Sequence, residues 1–166
     1  MGARLVSKSN VIWAIAFVVV TGICAFKILG NDYIADNCAL YLDCGKMMAK
    51  GLMPYADFID LNPPCISILM AGLAIFGNCF ALSMVPLFKA SVFLFSIFST
   101  ALTGYFLVAA DKHDARLSKT SWAILFALLL SPYFLSFGFG ERDHLLTLGY
   151  LPYFFLRIAK ARFAAL

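Results

Sequence analysis

Long apolar segments constrain this chain more than any other feature of its sequence. Four of them are candidates for helices that cross a bilayer, and they cover residues 11–30, 90–110, 121–137 and 145–159. A transmembrane helix needs about 20 predominantly apolar residues, and the composition fits, because 63% of the residues are hydrophobic and only 13% are charged. The sequence therefore predicts an all-α fold: a polytopic transmembrane helical bundle with about four spans, formed by residues 1–166 as one transmembrane domain.

The first apolar segment has two interpretations, an uncleaved span or a cleaved signal peptide. The segment VIWAIAFVVVTGICAFKILG is longer than the hydrophobic region of a usual signal peptide and lacks a small-x-small cleavage site. We therefore interpret residues 11–30 as a span that stays in the protein.

Residues 65–88 form a further apolar segment whose placement decides the topology. Their uninterrupted apolar part, 65–77, would cover about 20 Å as a helix, which is short of the roughly 30 Å hydrocarbon core. Lysine and arginine accumulate on the cytoplasmic side. If residues 65–88 lie along the outer surface, eight of the 13 basic residues are cytoplasmic. If residues 65–88 instead cross the membrane, only four of the basic residues are cytoplasmic. We therefore predict a cytoplasmic N-terminus and a long outer loop, 31–89, that contains two interfacial helices.

The first of these helices is predicted over residues 35–51. Asp36 is placed to cap its start and to complement the helix dipole, and Gly51 is a typical helix-ending residue. Lys46 and Lys50 lie one turn apart, where they could meet lipid phosphate. The predicted apolar face, from residues spaced three, four and seven apart, consists of Leu40, Tyr41, Cys44, Met47 and Met48.

The stretch GLMPYADFIDLNPP, residues 51–64, is predicted to be irregular and stiff. Pro54 and the Pro63–Pro64 pair disfavour helix and favour an extended path. Such a path can hold Asp57 and Asp60 in fixed positions, as a binding site requires. The alternative is that both aspartates only form surface turns.

The order of these residues resembles the first outer loop of the glycosyltransferase C superfamily, whose members are polytopic enzymes that use polyprenyl-phosphate-linked sugars. The resemblance is carried by Asp36, Gly51, Pro54-Tyr55, Asp57 and Asn62-Pro63-Pro64. It is closest to the bacterial branch that contains protein O-mannosyltransferases, the lipid A aminoarabinose transferase and lipopolysaccharide-core glycosyltransferases. A second outer loop with an acidic pair is also typical of that branch, and this chain has Glu141-Arg142-Asp143 before His144. Asn37 and Leu40 differ from the residues that are usual at these positions of the family pattern. The likeness covers only the N-terminal portion of that pattern.

The resemblance implies transfer of a sugar from a polyprenyl-phosphate donor to an acceptor on the extracytoplasmic face. Asp36 is the predicted general base, since an acceptor hydroxyl must lose its proton as the bond forms; the alternative is that Asp36 only caps a helix. Glu141 and Asp143 are predicted ligands of Mg²⁺ or Mn²⁺, with a local ion pair at the span boundary as the alternative. The predicted substrate-binding residues are Lys46, Lys50, Tyr55, Asp57, Asp60, Arg142 and His144.

The expected partners are the lipid-linked sugar donor and membrane lipids. No basic stripe with interleaved aromatic residues indicates nucleic-acid binding. The expected location is the bacterial inner membrane, with several spans. The alternative function is a non-catalytic polytopic membrane protein, either a truncated relic of the family or the assembly partner of another membrane protein.

Overall fold

The computed structural model describes residues 8–30, 33–59, 64–110, 121–127 and 139–164. Six helices follow one another within these ranges. They are α1 (Lys8–Leu29), α2 (Asp36–Ala49), α3 (Pro64–Cys79), α4 (Met84–Ala110), α5 (described over 121–127) and α6 (Arg142–Ala164). No strand is formed in these ranges, which confirms the predicted all-α class.

Two of the helices are long and apolar enough to cross a membrane. They are α1, over Val11–Leu29, and α4, over Met84–Leu107. The predicted span 121–137 is described only over its first seven residues, and the predicted span 145–159 lies within α6, which contains Pro152. The number of spans and their orientation therefore stay predictions.

Helix α1 exposes apolar side chains over most of its surface, although Cys24 on one face is only 2% exposed. Ile12, Val18 and Phe26 are each more than half exposed, and such a surface is stable only when lipid or another protein covers it. Helix α1 contacts α4 and also α5, where the ring of Phe126 lies 6.0 Å from that of Trp13 and 5.6 Å from that of Phe17.

Helix α2 packs along α3, so that two helices lie between the first two predicted spans. Their placement at the outer membrane interface stays a prediction. The predicted apolar face of α2 is only partly correct, since Leu40 is 51% exposed. The buried residues of α2 are Cys38, Tyr41, Leu42, Cys44 and Gly45. Small residues form part of this face because the two backbones approach closely there. A Cβ on Gly45 would lie 2.5 Å from the Cβ of Met70 in α3.

Helix α3 extends past residue 77, where its uninterrupted apolar part ends. It continues to Cys79, and the N–H of Leu82 donates to the carbonyl of Gly77 at 2.9 Å just beyond its end. Helix α4 then begins at Met84, six residues before the predicted start of the second span. Pro86 is accommodated because it lies in the first turn of α4, where its missing N–H has no helical partner to lose.

Helix α4 packs along α6, and the hydrophobic core lies where both meet the α2–α3 pair. Core residues from three helices, Tyr41, Met70, Phe88 and Val92, are each less than 7% exposed. The start of α2 and the start of α6 thereby come to lie beside the same core.

Further along α4, the face toward α6 is made of buried small polar residues. They recur at helical spacing and are Ser96, Ser99, Thr100 and Thr103. The hydroxyl of Ser99 donates to the carbonyl of Leu148 in α6, and that of Thr100 to the carbonyl of Ser96 at 2.7 Å. Small side chains with hydroxyl groups let helices pack closely in an apolar environment.

Candidate functional site

Asp36 is the first residue of α2. The preceding residue, Ala35, occupies the N-cap position with φ −63° and ψ 144°, and no side chain caps the helix. The predicted capping role of Asp36 is therefore wrong. Its carboxylate is exposed at the positive end of the α2 dipole, a position that stabilises a negative charge.

The segment that precedes α6 is held against the core by Gly140 and His144. Gly140 has φ +81°, and a Cβ at this position would overlap the ring of Phe88. Its N–H donates to Nδ1 of His144 at 3.1 Å, and the ring of Phe139 lies 5.7 Å from that of His144. The backbone of 139–141 thus has one defined path, and it directs Glu141 toward α2.

Two hydrogen bonds join this segment to the first turn of α2. Nδ2 of Asn37 donates to Oε1 of Glu141 at 3.3 Å, and Sγ of Cys38 donates to the carbonyl oxygen of Phe139 at 3.4 Å. The predicted base, Asp36, therefore immediately precedes the residue that donates to Glu141, one member of the predicted acidic pair. These residues are about a hundred positions apart in the chain, and only the fold brings them together.

The thiol of Cys38 is enclosed by this contact. Its pKa is raised to about 12 by burial and by the nearby charge of Glu141. A thiol with so high a pKa stays protonated and is a poor nucleophile, so Cys38 serves as a hydrogen-bond donor within the contact.

Arg142 and Asp143 form the local ion pair that was the alternative to a metal site. Nε of Arg142 lies 3.5 Å from Oδ1 of Asp143, and the two side chains are 50% and 86% exposed. Glu141 accepts a hydrogen bond from Asn37, whereas Asp143 pairs with Arg142. The two carboxylates therefore have different partners. Within the described part of the chain, no group of three His, Cys, Asp or Glu side chains is arranged to hold a metal ion. The predicted Mg²⁺ or Mn²⁺ site stays a prediction.

His144, predicted to bind substrate, lies beneath the surface and is 5% exposed. Its Nδ1 accepts from Gly140, while its buried Nε2 has no hydrogen-bond partner among the described residues. Desolvation lowers the pKa of the imidazole. The geometry thus indicates that the imidazole is neutral and positions Gly140. It does not favour direct contact of this ring with a substrate.

Lys46 and Lys50, both predicted to bind substrate, lie at the other end of α2. At 1.5 Å per residue they are about 15 and 21 Å along the helix axis from Asp36. Nζ of Lys46 is 2.9 Å from Oδ1 of Asp43, and both side chains are largely exposed. The structure therefore does not bring either lysine to the start of α2.

The predicted stiff stretch is irregular over its described part, and Asp57 closes a turn within it. Oδ2 of Asp57 accepts from the N–H of Met53 at 2.8 Å, and the N–H of Asp57 donates to the carbonyl of Met53 at 2.9 Å. Tyr55 has a left-handed φ of 68°, and its N–H donates to the carbonyl of Phe58 at 2.8 Å. These bonds favour the alternative in which Asp57 is a turn former. Asp60 lies outside the described residues.

Lys89 is a feature that sequence analysis did not single out. It is 4% exposed within α4, and a lysine is almost never so buried without interacting partners. Its signal in the sequence is a lone cation inside the apolar stretch VPLFKASVF.

Comparison with family models, with curated proteins and with solved structures gave no match for this chain. The site is therefore interpreted from its own geometry. Its described part is all-helical, and an exposed carboxylate at the start of α2 lies near a partly buried, hydrogen-bonded segment that carries further charged residues.

We expect the stability of this protein to fall as the pH is lowered through the ordinary pKa of histidine, about 6.5. Because the pKa of His144 is lowered in the folded state, the unfolded state binds a proton first, and the folded state is destabilised below that pH. Protonation would also turn Nδ1 into a donor that faces the Gly140 N–H. Thermal unfolding in detergent, followed by circular dichroism between pH 7.5 and 5.5, should show a falling midpoint.

The matched variant for this measurement is His144→Asn, whose side-chain oxygen can still accept from Gly140 but does not titrate in this range. Its unfolding midpoint should depend less on pH than that of the native chain. An equal pH dependence in both proteins would show that His144 is not the responsible group.

Proposed function

We propose that this chain is a membrane glycosyltransferase, or the N-terminal part of one, in the bacterial inner membrane with its N-terminus in the cytoplasm. It transfers a sugar from a polyprenyl-phosphate donor to an acceptor on the extracytoplasmic face. The observation that carries the proposal is the contact between the start of α2 and the segment before α6. The bond between Asn37 and Glu141 joins the residue that follows Asp36 to the second predicted outer loop, which supports a site shared by Asp36 and the charged residues of that loop.

This arrangement suits a direct displacement at the anomeric carbon of the donor sugar. Asp36 takes the proton of the acceptor hydroxyl as the new C–O bond forms. The bond between the anomeric carbon and the phosphate oxygen breaks, and its electron pair leaves with the phosphate. The configuration at the anomeric carbon is thereby inverted.

Arg142 is the cation suited to stabilise the departing phosphate. It lies one residue from Glu141, at the first position of α6, where the helix dipole also favours an anion. Lys46 and Lys50 are too far along α2 to share this role with Arg142 while Asp36 acts on the acceptor.

The proposal is tested by a transfer assay on the full chain in membrane vesicles. Labelled polyprenyl-phosphate sugars are supplied, and label that moves into an acceptor is measured against vesicles without the chain. Transfer that depends on the chain supports the proposal. A chain that is inserted and folded but transfers no sugar from any donor would contradict it and favour the alternative, a non-catalytic membrane protein.

A further inference from the structure

Two buried polar atoms on neighbouring helices lack a hydrogen-bond partner among the described residues. One is Nε2 of His144 in the first turn of α6, and the other is Oγ of Ser96 in α4. The two residues are 5% and 0% exposed. An unpaired buried polar atom destabilises the folded state, so most buried polar atoms in proteins bond to protein groups or to ordered water.

His144 and Ser96 lie at the same level of the α4–α6 pair. The segment just before α6 packs on the first turns of α4, and further along the hydroxyl of Ser99 donates to the carbonyl of Leu148. The two helices therefore run in the same direction. His144 precedes Leu148 by four residues and Ser96 precedes Ser99 by three, which is about one helical turn in each case.

The two side chains also share one side of the α4–α6 pair. The opposite side is marked by Phe95 of α4 and Gly149 of α6, which line an apolar cavity of about 250 Å³. Successive residues of an α-helix are rotated by about 100°. Ser96 is therefore turned about 100° away from Phe95, and His144 about 140° away from Gly149, so both lie across the helix contact from the cavity.

A water molecule has the hydrogen-bonding groups that these two atoms require. Nδ1 of His144 accepts from the N–H of Gly140, so in the neutral ring the proton is on Nε2, which is a donor. The hydroxyl of Ser96 can accept as well as donate. One water molecule with two hydrogen bonds of ordinary length joins atoms up to about 5.5 Å apart, whereas an apolar group would satisfy neither atom.

We propose that an internal water molecule is bound between α4 and α6, where it accepts from Nε2 of His144 and donates to Oγ of Ser96. It holds the imidazole in the tautomer whose Nδ1 accepts from Gly140. Ser96 is thereby a positioning residue for the segment 139–141, which carries Glu141 to the start of α2. This inference does not rest on the reaction that the chain performs.

The first test is nitrogen-15 NMR of the purified full chain in detergent at pH 7.5. The chain has two histidines, His113 and His144, so His113→Gln leaves the imidazole of His144 as the only one. Its spectrum should show a neutral ring with the proton on Nε2, and this proton should give a nuclear Overhauser contact to water. A proton on Nδ1, or a proton on Nε2 without a water contact, would overturn the proposal.

The second test is Ser96→Ala in the same background. It should abolish the water contact of Nε2 and speed hydrogen exchange of the Gly140 amide by about fivefold, which corresponds to the loss of one ordinary hydrogen bond. A purely structural role of Ser96 would not change the ring signal of His144. An unchanged ring signal together with unchanged exchange at Gly140 would therefore contradict the positioning role.

Ser91→Ala is the matched control for this variant. It makes the same substitution in the same helix, but the hydroxyl of Ser91 donates to the carbonyl of Leu87 at 2.8 Å, within α4. Ser91→Ala should leave both the ring signal of His144 and the exchange of Gly140 as they are in the native chain. If both variants change these two readouts equally, the effect comes from α4 in general, and the water site is wrong.

Discussion

Asp36→Asn is expected to lower the rate of sugar transfer by at least about 100-fold, the lower end of what a positioned general base contributes. Asparagine occupies nearly the same volume as aspartate but cannot take the proton of an acceptor hydroxyl. The fold should tolerate the change, because the Asp36 side chain is exposed and makes no capping hydrogen bond. The measurement is the initial rate of transfer in vesicles that contain equal amounts of each variant.

The matched control for this variant is Asp43→Asn on the same helix. Asp43 is exposed, and its ion pair within the described part of the chain is with Lys46; exposed ion pairs of this kind contribute little. Asp43→Asn should therefore transfer sugar at nearly the native rate. If Asp36→Asn keeps native activity, or if both variants lose activity equally, Asp36 is not the base.

Gly45→Ala is expected to destabilise the packing of α2 on α3. The added Cβ would lie 2.5 Å from Cβ and 2.6 Å from the carbonyl carbon of Met70. Since part of this contact is with backbone, rotation of a side chain cannot relieve it, and the helices must separate. Overpacking of this kind costs about 1–3 kcal/mol, more than the roughly 1 kcal/mol that alanine gains over glycine within a helix.

Gly72→Ala on α3 is the control for this prediction. A Cβ at position 72 meets nothing within 4 Å, so only the gain in helix propensity remains, and the variant should be as stable as the native chain or more so. Unfolding midpoints in detergent, followed by circular dichroism at 222 nm, would measure both. A Gly45→Ala variant as stable as Gly72→Ala would contradict the close approach of α2 and α3.

A less stable α2–α3 pair should also weaken the candidate site. Cys38 and Tyr41 lie on the same buried face of α2 as Gly45, and Cys38 contacts Phe139. Movement of α2 away from α3 would therefore be transmitted to the start of α2, where Asp36 lies.

Local sequence features predicted the bounds of α2 well. The helix predicted over 35–51 is found at Asp36–Ala49, and Gly51, predicted to end it, has a positive φ of 90°. Both features depend on neighbouring residues only: the apolar repeat favours a helix, and glycine adopts a left-handed conformation without the steric penalty of a Cβ.

Local features failed where two faces of a helix were similarly apolar. Periodicity placed Leu40 on the packed face and omitted Cys38 and Gly45, although the latter two are buried and Leu40 is exposed. A small residue carries little hydrophobic signal, yet it decides which faces approach closely. That choice depends on the surface of α3 and is absent from the sequence of α2.

The sequence by itself determined the all-helical class, the apolar helices α1 and α4, and the charged residues available near the predicted outer surface. Only the tertiary structure decided which of those residues meet. Asn37 and Glu141 come together, Lys46 and Lys50 lie at the far end of α2, Asp57 binds its own turn, and His144 is buried. The physical reason is that helix formation depends on near neighbours, whereas a site depends on packing between segments that are distant in the chain.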